Sequence, residues 1–292
     1  MLASKNSDVR CRLIAESDFA QVVACLMRGF PDRPGLYWTN ALERMARRDA
    51  IEDYPRYGYL MEVCGEVVGV LLLIFSRQTI AGKVEVRCNL SSWCVDPKYR
   101  GYALALHSNG VKRKGVTYTN ISPAPHTRPG LEAMGFRRFS EGLLVFAPIL
   151  TRSRVRTRIV AYSHDAPEAA LLEAGERQIL AEHAALGCRA LIGVRGDRAF
   201  GFVLRRRSLH RRKIPCEHLI HCRDIGELTA FAGAIGRHLL RRGILFCLID
   251  ATGPVPGLVG KFLKNREPKY FKGPSVPGLG DLAYSELVML GP

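Results

Sequence analysis

The sequence predicts a mixed α/β chain of α+β layout, with a mostly antiparallel central sheet flanked by helices. Three observations predict it. The first half reads in the order β-α-α-β-β-β-α-β-α-β. Two apolar runs, Tyr59–Cys64 and Val67–Phe75, meet at the short turn Gly65–Glu66, which makes a hairpin. The second half repeats the order more loosely, with a matching hairpin at Gly196–Asp197.

The elements follow from period and punctuation. Val9–Leu13 alternates as a strand. Ser17 can cap a helix in which Phe19, Val22, Val23, Leu26, Met27 and Phe30 recur at helical spacing. PDRPG ends it, and Tyr37–Arg48 forms a second helix with Trp38, Leu42 and Met45 on one face. After the hairpin, Val84–Val95 is a strand closed by Asp96-Pro97. A helix over Tyr102–Lys114 and a strand over Val116–Ser122 follow. Pro123, Pro125 and Pro129 mark a loop, then a short helix ends at Met134-Gly135-Phe136. Arg138–Phe146 is the last strand of this half. The basic stretch Thr151–Arg158 is a candidate linker, giving domains 1–150 and 151–292.

In the second half, Pro167–Leu186 is helical. Ala190–Arg195, Ala199–Arg206 and Cys216–Cys222 are strands. Ile225–Arg242 is an amphipathic helix, and Ile244–Asp250 is a strand answering Val116–Ser122. The Gly- and Pro-rich stretch Ala251–Gly280 is expected to be irregular.

The chain has 292 residues, 47% hydrophobic and 24% charged, a globular balance. Its formal charge of +16 calls for an anionic partner: a cofactor or substrate, nucleic acid, or an acidic membrane surface. The N-terminus lacks the apolar core of a secretory signal, and Val67–Phe75 is too short to span a bilayer. The nine cysteines form no C-x-x-C pair, so free thiols in a cytoplasmic protein are expected.

The most informative segment is Leu90–Leu106, LSSWCVDPKYRGYALAL. A strand ends, Asp96-Pro97 turns the chain, and Lys98-Tyr99-Arg100-Gly101-Tyr102-Ala103 opens a helix. A helix start offers backbone N–H groups and partial positive charge, which suits a pyrophosphate. Gly101 permits close approach, Ala103 is small, and Lys98 and Arg100 add charge-assisted contacts. Lys98-x-x-Gly101-x-Ala103 resembles the Q/R-x-x-G-x-G/A signature of the GNAT superfamily (GCN5-related N-acetyltransferases). Leu131-Glu132-Ala133-Met134-Gly135-Phe136 resembles that family's short helix ending in Gly-Phe. The resemblance covers most of residues 9–146.

The resemblance implies an acyl-CoA-dependent N- or O-acyltransferase that uses acetyl-CoA or another acyl-CoA as substrate, without metal. The pantetheine arm would lie in a gap between strands, near Cys94 and Val95, with Asn120 close to the cofactor. An unidentified acceptor would attack the thioester directly. Cys94 as a nucleophile lacks a His partner in the sequence. Arg33, Tyr37 and Trp38, in a region that often forms the acceptor wall, are candidate substrate contacts, or else an aromatic staple. Asn89 and Ser91 are further candidate substrate contacts. The chain departs from the pattern at the catalytic positions. Leu131 stands where many relatives have Tyr, and Asn89 and Ser91 stand near where many have a carboxylate. His126, Tyr118 and Glu85 are the candidate substitutes. A non-catalytic acyl-CoA-binding module is the alternative, and a basic nucleic-acid binder is a third class.

In the second half, Asp224 and Glu227 put negative charge where a second phosphate loop would lie, so this half is expected to be a degenerate GNAT-like domain without CoA. The run Arg205–Lys213 reads as a solvated hairpin tip or an anion patch; no interleaved aromatics suggest stacked bases. On a strand, Cys216, His218 and Cys222 share a face but His221 points away, which argues against a metal centre.

Overall fold

The structure is a computed structural model that describes residues 9–80, 83–152, 156–209 and 214–291. In chain order its elements are β1 (Arg10–Leu13), α1 (Phe19–Gly29), α2 (Gly35–Arg47), β2 (Gly58–Val63), β3 (Glu66–Ile80), β4 (Lys83–Val95), α3 (Ala103–Gly110) and β5 (Thr117–Asn120). There follow α4 (Arg128–Ala133), β6 (Arg137–Phe146), β7 (Arg158–Ala161), α5 (Ala174–Ala185), β8 (Arg189–Arg195), β9 (Arg198–Leu209) and β10 (Ile214–His221). The chain closes with α6 (Ile225–Leu240), β11 (Phe246–Ala251), β12 (Gly260–Lys272) and α7 (Glu286–Met289).

Two compact units emerge. One comprises Met1–Ile121, Lys272–Pro274 and Tyr284–Pro292; the other comprises Ser122–Phe271 and Ser275–Ala283. β6 pairs with β11 and β12 and so groups with the second unit.

In the first unit the strands run β1-β2-β3-β4-β5, antiparallel except for the parallel pair β4 and β5. Val22 and Leu26 of α1, Trp38 and Leu42 of α2 and Leu106 of α3 are buried with Val70–Ile74 of β3. The β2–β3 turn is made by Cys64 and Gly65, at φ 51° and 82°, one residue before the expected position. A two-residue turn of this hand needs both φ values positive, and Gly65 supplies one at little cost. The start of α1 also differs. A 3-10 turn over Glu16–Asp18 makes Asp18, not Ser17, the capping position, and the Asp18 carboxylate accepts the Ala15 N–H at 2.8 Å. The third helix is shorter than expected: Pro97–Tyr102 is 3-10 and α3 stops at Gly110.

The second unit has the order β12-β6-β11-β10-β9-β8-β7. Its strands β7 to β11 repeat the pairing of β1 to β5, again with only the last pair parallel. Phe200, Phe202, Phe231, Leu228 and Ile235 form the core between this sheet and α6. The expected helix over Pro167–Leu186 is a 3-10 turn, Pro167–Leu171, followed by α5.

One expectation fails here. The stretch Ala251–Gly280 is not irregular throughout, because it contains the thirteen-residue β12. This strand pairs with β6 in two arms, Gly260–Lys264 and Lys269–Phe271, separated by a register shift. Asn265 and Glu267 within the shift have φ of 61° and 52°. Pro268 and this interruption hide the strand from any test of simple alternation. Thr151, the first residue of the candidate linker, is packed. It is 5% exposed, and Pro148–Thr151 lies against α6 where Gly233 and Gly236 leave no room for a side chain. Residues 153–155 of the linker lie outside the described residues.

Candidate active site

β4 carries several of the candidate positions, and it is irregular. Opposite β3, Val70 faces Cys94 and Leu72 faces Ser91, so Ser92 and Trp93 together oppose Leu71. This is a β-bulge, with Ser92 at φ 52°. A serine in the left-handed region costs roughly 1–3 kcal/mol, which the surrounding sheet must offset. On the other edge of β4, the ladder to β5 covers only Arg87–Asn89 among the described residues. The two parallel strands thus part just before the bulge. Asn89 sits at the parting point, and its amide donates to the Thr119 carbonyl at 3.3 Å and to its hydroxyl at 3.4 Å.

Downstream, the Asp96 N–H is tied to Val68 O at 2.8 Å, and the Asp96 carboxylate turns aside to a two-point ion pair with Arg28, at 2.8 and 3.1 Å. That pairing is decisive for the loop. Asp96 stands at the helix start but caps neither the 3-10 turn Pro97–Tyr102 nor α3 with its side chain. Lys98, Arg100, Gly101 and Tyr102 are exposed, while Tyr99 and Ala103 are half-buried. A Cβ built on Gly101 would meet nothing within 4 Å. Lys98 Nζ lies 5.5 Å from the Tyr99 ring centre. The segment offers backbone, two cations and space to an anion.

The remaining expected contacts are placed as follows. Val95 pairs with Gly69 and is half-buried. Asn120 ends β5, also half-buried. Cys94 lies against α1, its thiol 3.9 Å from Cys25 O. Contact with the Cys25 thiol and burial push the Cys94 thiol well above the ordinary range, so it is a protonated thiol at neutral pH rather than an activated nucleophile. All nine cysteines are free.

Within the first unit, Tyr118 pairs with Cys88 and Glu85 lies near the start of β4, so neither sits at the bulge. Tyr118 is 2% exposed; its hydroxyl accepts from Arg113 N at 3.1 Å. Burial raises its phenol above the ordinary value, which makes it a poor proton donor. Glu85 sits 3.9 Å from Arg87, about 20 Å up the strand from Ser91 at ~3.3 Å per residue. His126 is exposed in a 3-10 turn that groups with the second unit. Leu131 is fully buried in α4, whose end is fastened by Phe136 N to Leu131 O and Gly135 N to Glu132 O, both 3.0 Å. Gly135 has φ of 84°, the left-handed residue this closure requires.

Arg33 stacks over the Tyr37 ring at 4.6 Å, and Tyr37, Trp38 and Phe30 pack ring to ring in turn. Trp38 is 3% exposed. These rings pack the end of α1 against the start of α2.

Sequence reasoning missed the residues that complete the β4 site. Glu286, first residue of α7, donates its N–H to Asn89 Oδ1 at 2.7 Å, and its carboxylate accepts from the Ser91 hydroxyl. No local signal in residues 284–290 announces this. Another surprise is His107 of α3, 2% exposed and 5.0 Å from the Trp93 ring. Burial and Lys272 lower its pKa to about 4.

In the second unit, the parallel ladder between β10 and β11 covers Cys216–His218. Beyond it, Cys222 N donates to Gly280 O at 3.0 Å, and Leu282 N to Ile220 O at 2.8 Å. The start of α6 is closed by Asp224, whose carboxylate accepts the Glu227 N–H at 2.8 Å. Residues 205–209 of the basic run belong to β9, and Arg207 makes a two-point pair with Glu267 at 2.9 and 3.0 Å. They are strand residues rather than a hairpin tip. Residues 210–213 lie outside the described residues. Among the described residues, no cluster of three or more His, Cys, Asp or Glu could hold a metal ion. No described helix is long and apolar enough to cross a membrane.

No protein-family model matches the chain, and no curated protein matches it. Solved structures do. A GCN5-related N-acetyltransferase from Anabaena variabilis aligns with a TM-score of 0.57 at 12% identity, over 90% of this chain and 72% of that one. A GCN5-related N-acetyltransferase from Kribbella flavida aligns at 0.55 and 15%, over 90% and 70%. Eis1 from Mycobacterium abscessus aligns at 0.54 and 12%, over 90% and 73%. The fold is therefore that of the GCN5-related N-acetyltransferases. The likeness extends over most of the chain, not only the half that carries the loop motif.

Proposed function

We propose that the chain is an acyl-CoA-dependent N- or O-acyltransferase whose first half binds the acyl-CoA. One observation carries the reading: the exposed Pro97–Ala103 turn, open at Gly101 and without a capping carboxylate, follows directly on a bulged strand that has parted from its parallel neighbour. The turn would grip the diphosphate, with Lys98 and Arg100 supplying charge. The edge of β4 at Cys94 and Val95 would pair with the pantetheine arm. The thioester would then lie beside the bulge, where an acceptor amine or hydroxyl attacks its carbonyl. The residues present fit such a ligand: a Cβ-free position facing open space, two exposed cations and an unlatched strand edge.

The chain is further read as two GNAT-like halves, 1–150 and 151–292, of which the second takes no CoA. Support comes from the closed start of α6 and from Gly280 and Leu282 lying along β10. The acyl length and the acceptor are left open by this reading.

Calorimetric titration with acetyl-CoA tests it. Binding is expected, weakening as salt rises. Gly101→Asp should reduce affinity about tenfold or more, by placing a carboxylate against the diphosphate, with the melting temperature unchanged. Absence of uptake by the folded wild type, across acetyl and longer acyl-CoAs, overturns the assignment. A second reading, a non-catalytic acyl-CoA-binding module, is favoured by the burial of Leu131 and by the engaged hydroxyl of Tyr118. Thiol release in the presence of acceptors separates the two.

A further inference from the structure

We propose that Glu286 is the general base of the transfer, a carboxylate delivered to β4 from the far end of the chain. The inference rests on the acyltransferase reading above.

The position is defined by three contacts. Ser91, next to the bulge residue Ser92, donates its hydroxyl to Glu286 Oε2. Ser91 and Ser92 hydroxyl oxygens are 3.0 Å apart. Asn89 fixes the backbone of Glu286 through its Oδ1 while holding β5 through its amide. One side chain therefore ties the carboxylate-bearing segment to the point where β4 and β5 part. The strand itself offers only the neutral Asn89 and Ser91 there. Its nearest carboxylate toward the N-terminus is Glu85, about 20 Å away along the strand.

The segment that brings Glu286 is firmly seated in the first unit. Tyr284, Val288, Met289 and Leu290 are all at most 5% exposed. Arg48 lies 5.3 Å from the centre of the Tyr284 ring. Glu286 itself is only half-buried, unlike these neighbours. A charged group kept partly open amid an anchored apolar segment, hydrogen-bonded at the bulge, is placed to take a proton.

The step is as follows. The amine arrives as an ammonium ion, and Glu286 takes one proton from it to free the nitrogen lone pair. The nitrogen then attacks the thioester carbonyl carbon and the C–N bond forms. The C–S bond breaks, and its electron pair leaves on the CoA sulfur. The second surplus proton on nitrogen passes through water to the thiolate. Glu286 then returns its proton to water, so the products are the amide and CoA thiol.

The test uses the full chain, acetyl-CoA, and two kinds of probe nucleophile: a pool of primary alkylamines, protonated at neutral pH, and hydroxylamine, already neutral there. Glu286→Gln is expected to bind acetyl-CoA within about twofold of wild type. Its thiol release with alkylamines should fall by roughly 100- to 1000-fold, the range of a lost general base. Release with hydroxylamine should fall only a few-fold. Glu286→Asp, which keeps the carboxylate, should restore part of the rate and guards against a folding defect. Equal rates in wild type and Glu286→Gln overturn the proposal. So does an equal loss with both nucleophiles, or a loss of acetyl-CoA binding, either of which marks a structural role. Wild type that binds acetyl-CoA but releases no thiol with any probe overturns the base while leaving the binding site standing. Wild type that takes up no acetyl-CoA overturns the transferase reading, and the base with it.

Discussion

Gly29 ends α1 where that helix crosses β4. A Cβ there would lie 2.5 Å from Cys94 Cβ and 2.9 Å from its sulfur. Gly29→Ala should therefore force helix and strand apart and cost about 1–3 kcal/mol, read by urea unfolding. Gly101 is the opposite case. Its surroundings are open and its φ is ordinary, so Gly101→Ala should leave stability within ~0.5 kcal/mol. If Gly101 were instead needed for folding, that variant would unfold early, and the functional argument at this residue would lose its basis. The contrast between these two glycines separates packing from ligand access. Sequence alone could not separate them, since both follow basic residues at the end or start of a helix.

Two strands stand out at the level of elements. β4 breaks regularity at Ser92, and β12 bridges an interruption. β12 also supplies one member of a buried ionic group in the second unit. Lys269 Nζ lies 3.0 Å from Asp250 Oδ1, with His218 Nε2 3.6 Å from the same atom, all three at most 1% exposed. Burial alone would raise the Asp250 carboxyl, but Lys269 and His218 outweigh it and hold it below its usual range. Removing Lys269 takes away the larger of the two partners of a buried carboxylate. Lys269→Met should cost about 3–5 kcal/mol in denaturant unfolding, and adding Asp250→Leu should recover part of that loss. Additive losses in the double variant would show that the pair contributes no coupling.

At the scale of the whole molecule, net charge and pH response are the relevant quantities. A charge of +16 repels itself in the compact state, and acid adds more. His107 contributes in a defined window. Its folded pKa of about 4 lies below the ordinary 6.5, so between those values the unfolded chain binds the extra proton. Stability from this group is full above pH 6.5 and is lost as pH falls toward 4, by up to ~3 kcal/mol. His107→Gln should reduce the slope of unfolding free energy against pH in that window by at most ~1.4 kcal/mol per pH unit. An unchanged slope would place the titration elsewhere.

Much was legible because it is local. The hairpins, the loop Lys98–Ala103, the Gly135 closure of α4 and the Asp224 cap are each written in a few adjacent residues, and short-range sterics and hydrogen bonding fix them wherever they occur. The turn shifted by one residue to Cys64–Gly65 marks the usual limit of such reading. What the sequence by itself determined is thus the order of most elements before β12, the repeated strand pattern and the turn after β4. The tertiary structure alone decided which strands meet across long separations. It set β12 against β6, parted β4 from β5, and brought Glu286 to Ser91, 195 residues away in the chain. No adjacent residues encode such meetings. They depend on the register of the sheet and on how completely apolar side chains such as Val288 and Met289 can be buried, quantities that exist only once the chain has closed on itself.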